Sequence, residues 1–251
     1  MSSNKLNSTG VVILAAGRGS RLNCTDKPKV MCEIGGRPIV SYIIDTLKKC
    51  GFTKENICLV VGFHQEKIRE YFGDEAIYAS QEELKGTAHA AYVGMQKLPL
   101  NIKTVLVING DDSAFYSTEA ILDLLTKHQQ SKAVVSVLSV ELEDPSSYGR
   151  IIKYEDGRVE IIEKEYLTDE QKNIKEISSG TFCFDRNWFE TMFPTMLPLR
   201  KLGEYGLPTA LAVANKDNLG VQVIKLKNNS EWFGVNTPAE LAEADKRKLT
   251  L

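Results

Sequence analysis

With 251 residues, 43% of them hydrophobic, 25% charged and 8% aromatic, the chain has globular composition and the length of one large α/β domain or two small ones. Its 31 Lys and Arg nearly balance 33 Asp and Glu, and a net charge of −2 argues against a general binder of nucleic acid or anionic membrane. No apolar run approaches the ~20 residues of a membrane span.

The polar residues 1–10 lack the apolar core of a signal peptide. Residues 11–16 are a short β-branched apolar run, the pattern of a strand buried on both faces. Residues 38–50 set Ile39, Ile43 and Leu47 on one helical stripe beside Val40 and Ile44, and Gly51 supplies a stop. A second buried strand is predicted over 57–61, a helix over 65–72, a third strand over 76–80 and a helix over 86–97. Residues 104–108 give the strongest strand signal, followed by a helix over 117–129 and a strand over 134–140. This alternation implies right-handed β-α-β units and a mainly parallel sheet.

The rhythm then changes. Residues 150–154 and 158–162 flank Glu155-Asp156-Gly157 and read as a β-hairpin. A strand is expected over 179–185, a helix over 204–216 and a strand over 219–226. Thr237 as N-cap, Pro238 at the first helical position and Glu240 completing a capping box open the last helix. No linker or repeat interrupts the chain, so one domain over 1–251 with an α+β insertion is expected. Cys24, Cys32, Cys50, Cys58 and Cys183 are odd in number and scattered, which suits a reducing, cytoplasmic setting.

The first strand runs into Leu14-Ala15-Ala16-Gly17-Arg18-Gly19-Ser20-Arg21-Leu22. Its glycines allow a tight turn whose N–H groups can cradle an anion, with guanidinium groups beside it for phosphate oxygens. An ordinary strand-to-helix turn has the same residues. A P-loop is excluded by the missing Gly-Lys-Ser/Thr, and a dinucleotide fingerprint by Leu22 at its third glycine. Lys29, stiffened by Pro28, adds a mobile cation. Asn109-Gly110-Asp111-Asp112 ends the strongest strand, where open α/β sheets bind ligands, and its carboxylates suit Mg²⁺ beside phosphates or simply a turn. Gln81 carries a donor and an acceptor, enough to read a nucleobase edge, and Gly86 permits close approach. His89 falls in the following helix and reads as packing or capping.

Taken together, Leu14 to Arg21, Lys29, Gln81 with Gly86-Thr87-Ala88-His89-Ala90, Gly110-Asp111, Tyr148-Gly149-Arg150-Ile151, Glu163 and Gly234-Val235-Asn236 occur in the order of the sugar-nucleotide pyrophosphorylases. From residue 10 to residue 248 the chain most resembles the uridylyltransferase domain of the bacterial bifunctional N-acetylglucosamine-1-phosphate uridylyltransferases. The resemblance implies a doubly wound, Rossmann-like nucleotide-diphospho-sugar transferase fold. Residues 1–140 would form its nucleotide half, and 141–251 its sugar half and closing helix. Leu14, Ala15, Ala16, Gly17, Arg18, Gly19, Lys29, Gln81, Gly86, Thr87, Asn109 and Gly110 would bind nucleotide. Gly149, Glu163, Ser178 and Asn236 would face the sugar, and Asp111 and Asn236 would hold Mg²⁺. The family's hexapeptide-repeat acetyltransferase half is absent from this sequence, so no acetyl transfer is expected.

The implied reaction is attack of a sugar 1-phosphate oxygen on the α-phosphorus of a nucleoside triphosphate, UTP favoured, with Arg21, Lys29 and Asp111 as catalytic residues. Some positions depart from the family pattern. Ser178-Ser179-Gly180 stands where Asn-Thr-Gly is expected, Gly206-Leu207-Pro208 where the family has a second Tyr, Ile or Leu, then Thr, and Asp112-Ser113 where an apolar-Pro pair is expected. The first two departures concern the sugar side, so nucleotidyl transfer is better supported than N-acetylglucosamine 1-phosphate as acceptor. CTP, dTTP or GTP with another sugar or alcohol phosphate is one alternative, and a non-catalytic nucleotide-sugar-binding protein is another.

Overall fold

The computed structural model describes residues 6–22, 24, 26–198 and 203–250, so the first five residues of the polar start lie outside it. In chain order the first half contains β1 (Thr9–Ala15), β2 (Glu33–Ile34), β3 (Arg37–Pro38), α1 (Ile39–Lys49), β4 (Ile57–Val61), α2 (Gln65–Phe72), β5 (Ile77–Ser80), α3 (Thr87–Met95), β6 (Thr104–Asn109), α4 (Thr118–Ser131) and β7 (Val135–Glu141). The second half adds β8 (Arg150–Lys153), β9 (Val159–Ile162), α5 (Asp169–Lys172), β10 (Glu176–Asp185), α6 (Arg186–Met192), α7 (Leu207–Lys216), β11 (Val221–Lys225) and α8 (Pro238–Leu249).

Seven strands form one sheet in the order β11-β7-β10-β6-β1-β4-β5. β1 pairs in parallel with β4 and β6, β4 with β5, and β7 with β11. Only β10 runs antiparallel, inserted between β6 and β7. Alternation along each strand buries two apolar faces. Val11, Ile13, Leu59 and Ile108 meet Ile43 and Leu47 of α1 and Leu124 of α4, whereas Val12, Val60, Val107 and Phe184 meet Ala91 of α3, Phe189 of α6 and Leu211 of α7. This is the doubly wound, mainly parallel Rossmann-like sheet expected. The hairpin also forms, β8 pairing with β9 so that Ile151 lies opposite Ile161.

Three boundaries move for physical reasons. Gly86 has φ +98°, so α3 starts at Thr87. Residues 204–206 stay out of α7 because Tyr205 spends its backbone on the loop before α3, donating to Lys85 O at 2.7 Å and accepting from Ala88 N at 2.7 Å. β10 begins at Glu176, three residues earlier than expected, and its register with β7 shifts between Ser178 and Phe182. The short β2–β3 ribbon, α5 and α6 carry too few residues for a periodic signal.

A third, smaller core joins the ribbon to the last helix. Leu22, Cys32, Ile34, Ile39, Val235 and Ala244 are buried together there. It packs the loop after β1 and the neighbouring residues around Lys29 against the start of α8, which is distant in sequence.

His128 of α4 is buried, and its Nδ1 lies 2.8 Å from Ser136 Oγ on β7. Burial lowers its pKa from 6.5 to about 4. The unfolded chain therefore takes up this proton at a higher pH than the native protein, and the stability contributed by neutral His128, complete above pH 6.5, is lost as pH falls towards 4. Thermal melts between pH 7 and pH 4 should show a smaller acid-induced drop in Tm for His128→Gln, whose amide can still bond Ser136, than for the native protein.

Candidate active site

Between β1 and β6 the strand order reverses, and that crevice above the strand ends is where such sheets bind ligands. Leu14, Ala16 and Gly17 leave β1 along one wall, and Asn109 and Asp111 leave β6 along the other. Gly110 N donates to Leu14 O at 3.0 Å, which carries the β1–β6 ladder to the mouth of the crevice. Together with Lys29, Gln81, Gly86, Thr87, Glu204 and Gly206 these residues enclose a cavity of about 360 Å³.

The cavity's polar floor is Gln81, 5% exposed. Its Nε2 donates to Gly86 O at 3.2 Å and to His89 Nδ1 at 2.9 Å. The Gly86 carbonyl can only accept, so the amide nitrogen points inward and Oε1 is left for a ligand. Gly86 itself presses on Tyr205, and a Cβ there would meet Tyr205 O at 2.5 Å. Thr87 Oγ1 accepts from Leu207 N at 3.0 Å and so ties α7 to this wall.

At the other end stands a group of charges. The Lys29 ammonium pairs closely with Asp111 Oδ2 and donates to Asn236 Oδ1 at 2.9 Å, and Arg21 Nη2 donates to the same Oδ1 at 3.1 Å. Lys29 follows Pro28 in a 3-10 turn, and its stem passes over Gly19, where a Cβ would come within 2.6 Å of Lys29 Cβ. Asn236 is fixed by the cap of α8: its N–H and that of Thr237 donate to Glu240 Oε2 at 2.7 and 2.8 Å. A carboxylate and an amide oxygen that share one cation are hard donors of the kind Mg²⁺ takes beside phosphates. The donor set fits.

A second cavity, about 250 Å³, continues from the first past Thr87 and Asn109. Asp112, Tyr148, Gly149, Glu163, Ser178, Ser179, Leu207, Pro208 and Trp232 are among its walls. A third, with Arg21 and Asn236 on its rim, shares Asp112, Tyr148, Gly149 and Glu163 with it. Arg150 of the Tyr-Gly-Arg-Ile segment faces away from these cavities; its guanidinium holds the loop by donating to Pro145 O at 2.7 Å and to Tyr148 O. Burial pushes the Glu163 carboxyl above its ordinary value. Asp112 is raised too, by burial and by the Asp111 charge beside it, and its Oδ1 has no hydrogen-bond partner.

Most of the residues singled out from sequence thus border one continuous groove. Ala15 does not: it is 1% exposed and packs in the core beneath α1. Arg18, Gly19 and Gly110 also lie outside these cavities: the Arg18 guanidinium is 5.8 Å from the Phe63 ring, Gly19 lies under the Lys29 stem, and Gly110 packs on Leu14 and Val30. Gly206, read as part of the sugar side, borders the Gln81 cavity instead, because the Tyr205 strap folds residues 204–206 over it. Tyr148, Glu204 and Trp232 were missed as groove residues, while Ser179 of the Ser178-Ser179-Gly180 departure borders the second cavity beside Ser178. Tyr148 alone carried a signal, its place beside Gly149.

Strand order, a glycine loop at the switch point and a carboxylate at the neighbouring strand end define a Rossmann-like α/β protein built to hold a nucleotide. Residues 10–250 match the Nucleotidyl transferase family, and the chain belongs to that family. The bifunctional protein GlmU of Heliobacterium modesticaldum is 37% identical over 236 residues, covering 93% of this chain and 50% of its own length. GlmU of Staphylococcus saprophyticus is 33% identical over 236 residues, 94% of this chain and 51% of its own. The chain therefore spans about half the length of the curated relatives it matches. Among solved structures, a candidate glucose-1-phosphate thymidylyltransferase of Bacillus anthracis has the same fold, with a TM-score of 0.80 at 21% identity over 97% of this chain and 96% of its own.

Burial and the nearby Lys85 lower the pKa of His89 below 6.5, which keeps its Nδ1 free to accept from Gln81 at neutral pH. Protonation would set two donors against each other. The KM for nucleotide should therefore rise as pH falls below the ordinary imidazole value of 6.5 and His89 takes up its proton, and His89→Leu should show a higher KM that does not vary with pH in this way.

Proposed function

We propose that this chain transfers a nucleotidyl group from a nucleoside triphosphate, UTP by preference, to a sugar 1-phosphate, with Mg²⁺ as cofactor, giving a nucleotide sugar and pyrophosphate. What carries this reading is the meeting of Lys29, Asp111, Asn236 and Arg21 where the two halves of the groove join. A triphosphate whose base reaches Gln81 would bring its phosphates to these charges. The second cavity, lined by Gly149, Glu163 and Ser178, would receive the acceptor.

The acceptor phosphate is an anion at neutral pH, so its oxygen attacks the α-phosphorus without a general base. The new P–O bond forms as the bond to the β-phosphate breaks, and pyrophosphate leaves in line. The protein's part is alignment and charge neutralisation. Lys29 acts on the α-phosphate, and Arg21 with the N–H groups of the 16–19 loop acts on the departing pyrophosphate. Bound Mg²⁺, held by Asp111 and Asn236, would offset the charge of the two reacting phosphates. Gln81 Oε1 accepts from the N3–H of uracil, a donor that cytosine lacks at that position.

The acceptor is drawn more broadly than N-acetylglucosamine 1-phosphate. Ser178 puts a hydroxyl where the family pattern has an amide, and Asp112 puts a carboxylate on the acceptor cavity where an apolar residue is expected. A panel of sugar 1-phosphates and alcohol phosphates with UTP, followed by pyrophosphate release, tests this reading. Turnover with a sugar 1-phosphate is the expected result. Binding of UTP with no turnover on any acceptor would leave a nucleotide-sugar-binding protein instead.

Asp111→Ala should lower kcat by on the order of 10³-fold, as loss of an electrostatic stabiliser does. Chelation should abolish turnover of the native enzyme, and added Mg²⁺ should restore it. An Asp111→Ala enzyme with near-native, Mg²⁺-dependent turnover would refute the assignment.

A further inference from the structure

The geometry points to Lys29 as an internal counter-cation that occupies the metal-holding pair in the free enzyme and must be drawn off before a divalent ion can enter. This inference rests on the reading of Asp111 and Asn236 as the pair that holds Mg²⁺. It adds a coupling between metal and nucleotide binding that metal–phosphate contact alone does not supply.

The case begins with lone pairs. An amide oxygen has two, and both of those on Asn236 Oδ1 are engaged, one by Lys29 Nζ at 2.9 Å and one by Arg21 Nη2 at 3.1 Å. A metal ion ligated by that oxygen has to displace one of these donors. Lys29 is the one in the way, because the same ammonium also pairs with Asp111 Oδ2. It therefore engages one oxygen of each group at once, and a divalent cation placed beside it would meet a like charge. The Lys29 side chain is 12% exposed and that of Asp111 20%, so screening is weak.

The ammonium has somewhere to go. Lys29 borders the nucleotide cavity as well as the donor pair. Its stem is held against Gly19 and its backbone by the turn after Pro28, so a change of side-chain torsions suffices to turn the ammonium from the carboxylate into the cavity. A triphosphate there offers a stronger anionic partner and frees Asp111 and Asn236 for the metal. Binding free energies are reciprocal, so whatever the nucleotide adds to metal affinity by removing the ammonium, the metal adds to nucleotide affinity. Free enzyme then resists loading with metal alone.

Mn²⁺ is the probe, with free Mn²⁺ measured by electron paramagnetic resonance in titrations of the full chain without nucleotide. Lys29→Met should bind Mn²⁺ roughly 10-fold or more tightly than the native enzyme, within the usual range of site-to-site coupling. Adding Asp111→Asn to Lys29→Met should remove the gain. Lys29→Gln, which keeps hydrogen-bond donors without the charge, serves if the Met variant fails to fold by circular dichroism. Arg21→Met, which leaves the ammonium in place, should give a much smaller gain. Equal affinity in native and Lys29→Met enzymes, with Asp111→Asn weakening both, would overturn the displacement and leave the metal reading intact. An equal gain from Arg21→Met would also overturn it, because loss of any nearby positive charge would then suffice. Mn²⁺ binding indifferent to Asp111→Asn would place the metal elsewhere and overturn both.

Discussion

One ammonium holds the business end of this molecule together. Lys29 joins the carboxylate at the end of β6 to the amide at the start of α8, two groups 125 residues apart in the chain (236 − 111), through a turn that belongs to neither. Breaking a largely buried pair by removing one partner typically costs about 3–5 kcal/mol, because the other charge is left without compensation. Asp111 has a second carboxylate beside it in Asp112, so the acidic end of the groove depends on this cation all the more.

The rest of the architecture can be read as support for that meeting point. The reversal of strand order between β1 and β6 opens the crevice, and the ladder from Gly110 to Leu14 keeps its two lips in register. The third core, where Val235 and Ala244 pack on Leu22, Cys32 and Ile34, sets the start of α8 against the loop that carries Arg21 and Lys29. The capping box of Thr237 and Glu240 does more than begin a helix, since Glu240 also takes the N–H of Asn236 and fixes the backbone from which the amide projects.

At the far end, recognition is built from backbone as much as from side chains. Gly86 and Tyr205 pack backbone to backbone, the strap over residues 204–206 roofs the cavity, and His89 and the Gly86 carbonyl together fix the orientation of the Gln81 amide. The second cavity differs in kind. Its walls are carboxylates, hydroxyls and aromatic rings, with Asp112 and Glu163 both raised by burial and no Lys or Arg among the described residues that line it.

Hydrophobic periodicity alone determined the buried strands, the main helices and the parallel first half, because burial of a strand or of one helical face leaves its mark within a dozen residues. The chemistry-bearing segments were legible too: the glycine loop, Lys29, Gln81 and Asp111 each carry a residue type whose use is restricted by sterics or charge. Long-range placement was decided only by the tertiary structure. Nothing local tells that β10 enters antiparallel between β6 and β7, since its burial on both faces would suit either direction. Nothing local folds Gly206 over the first cavity or carries Asn236 across to Lys29. Those outcomes depend on a strap between distant backbones and on the packing of a small third core, both of them contacts between residues that the chain itself keeps far apart.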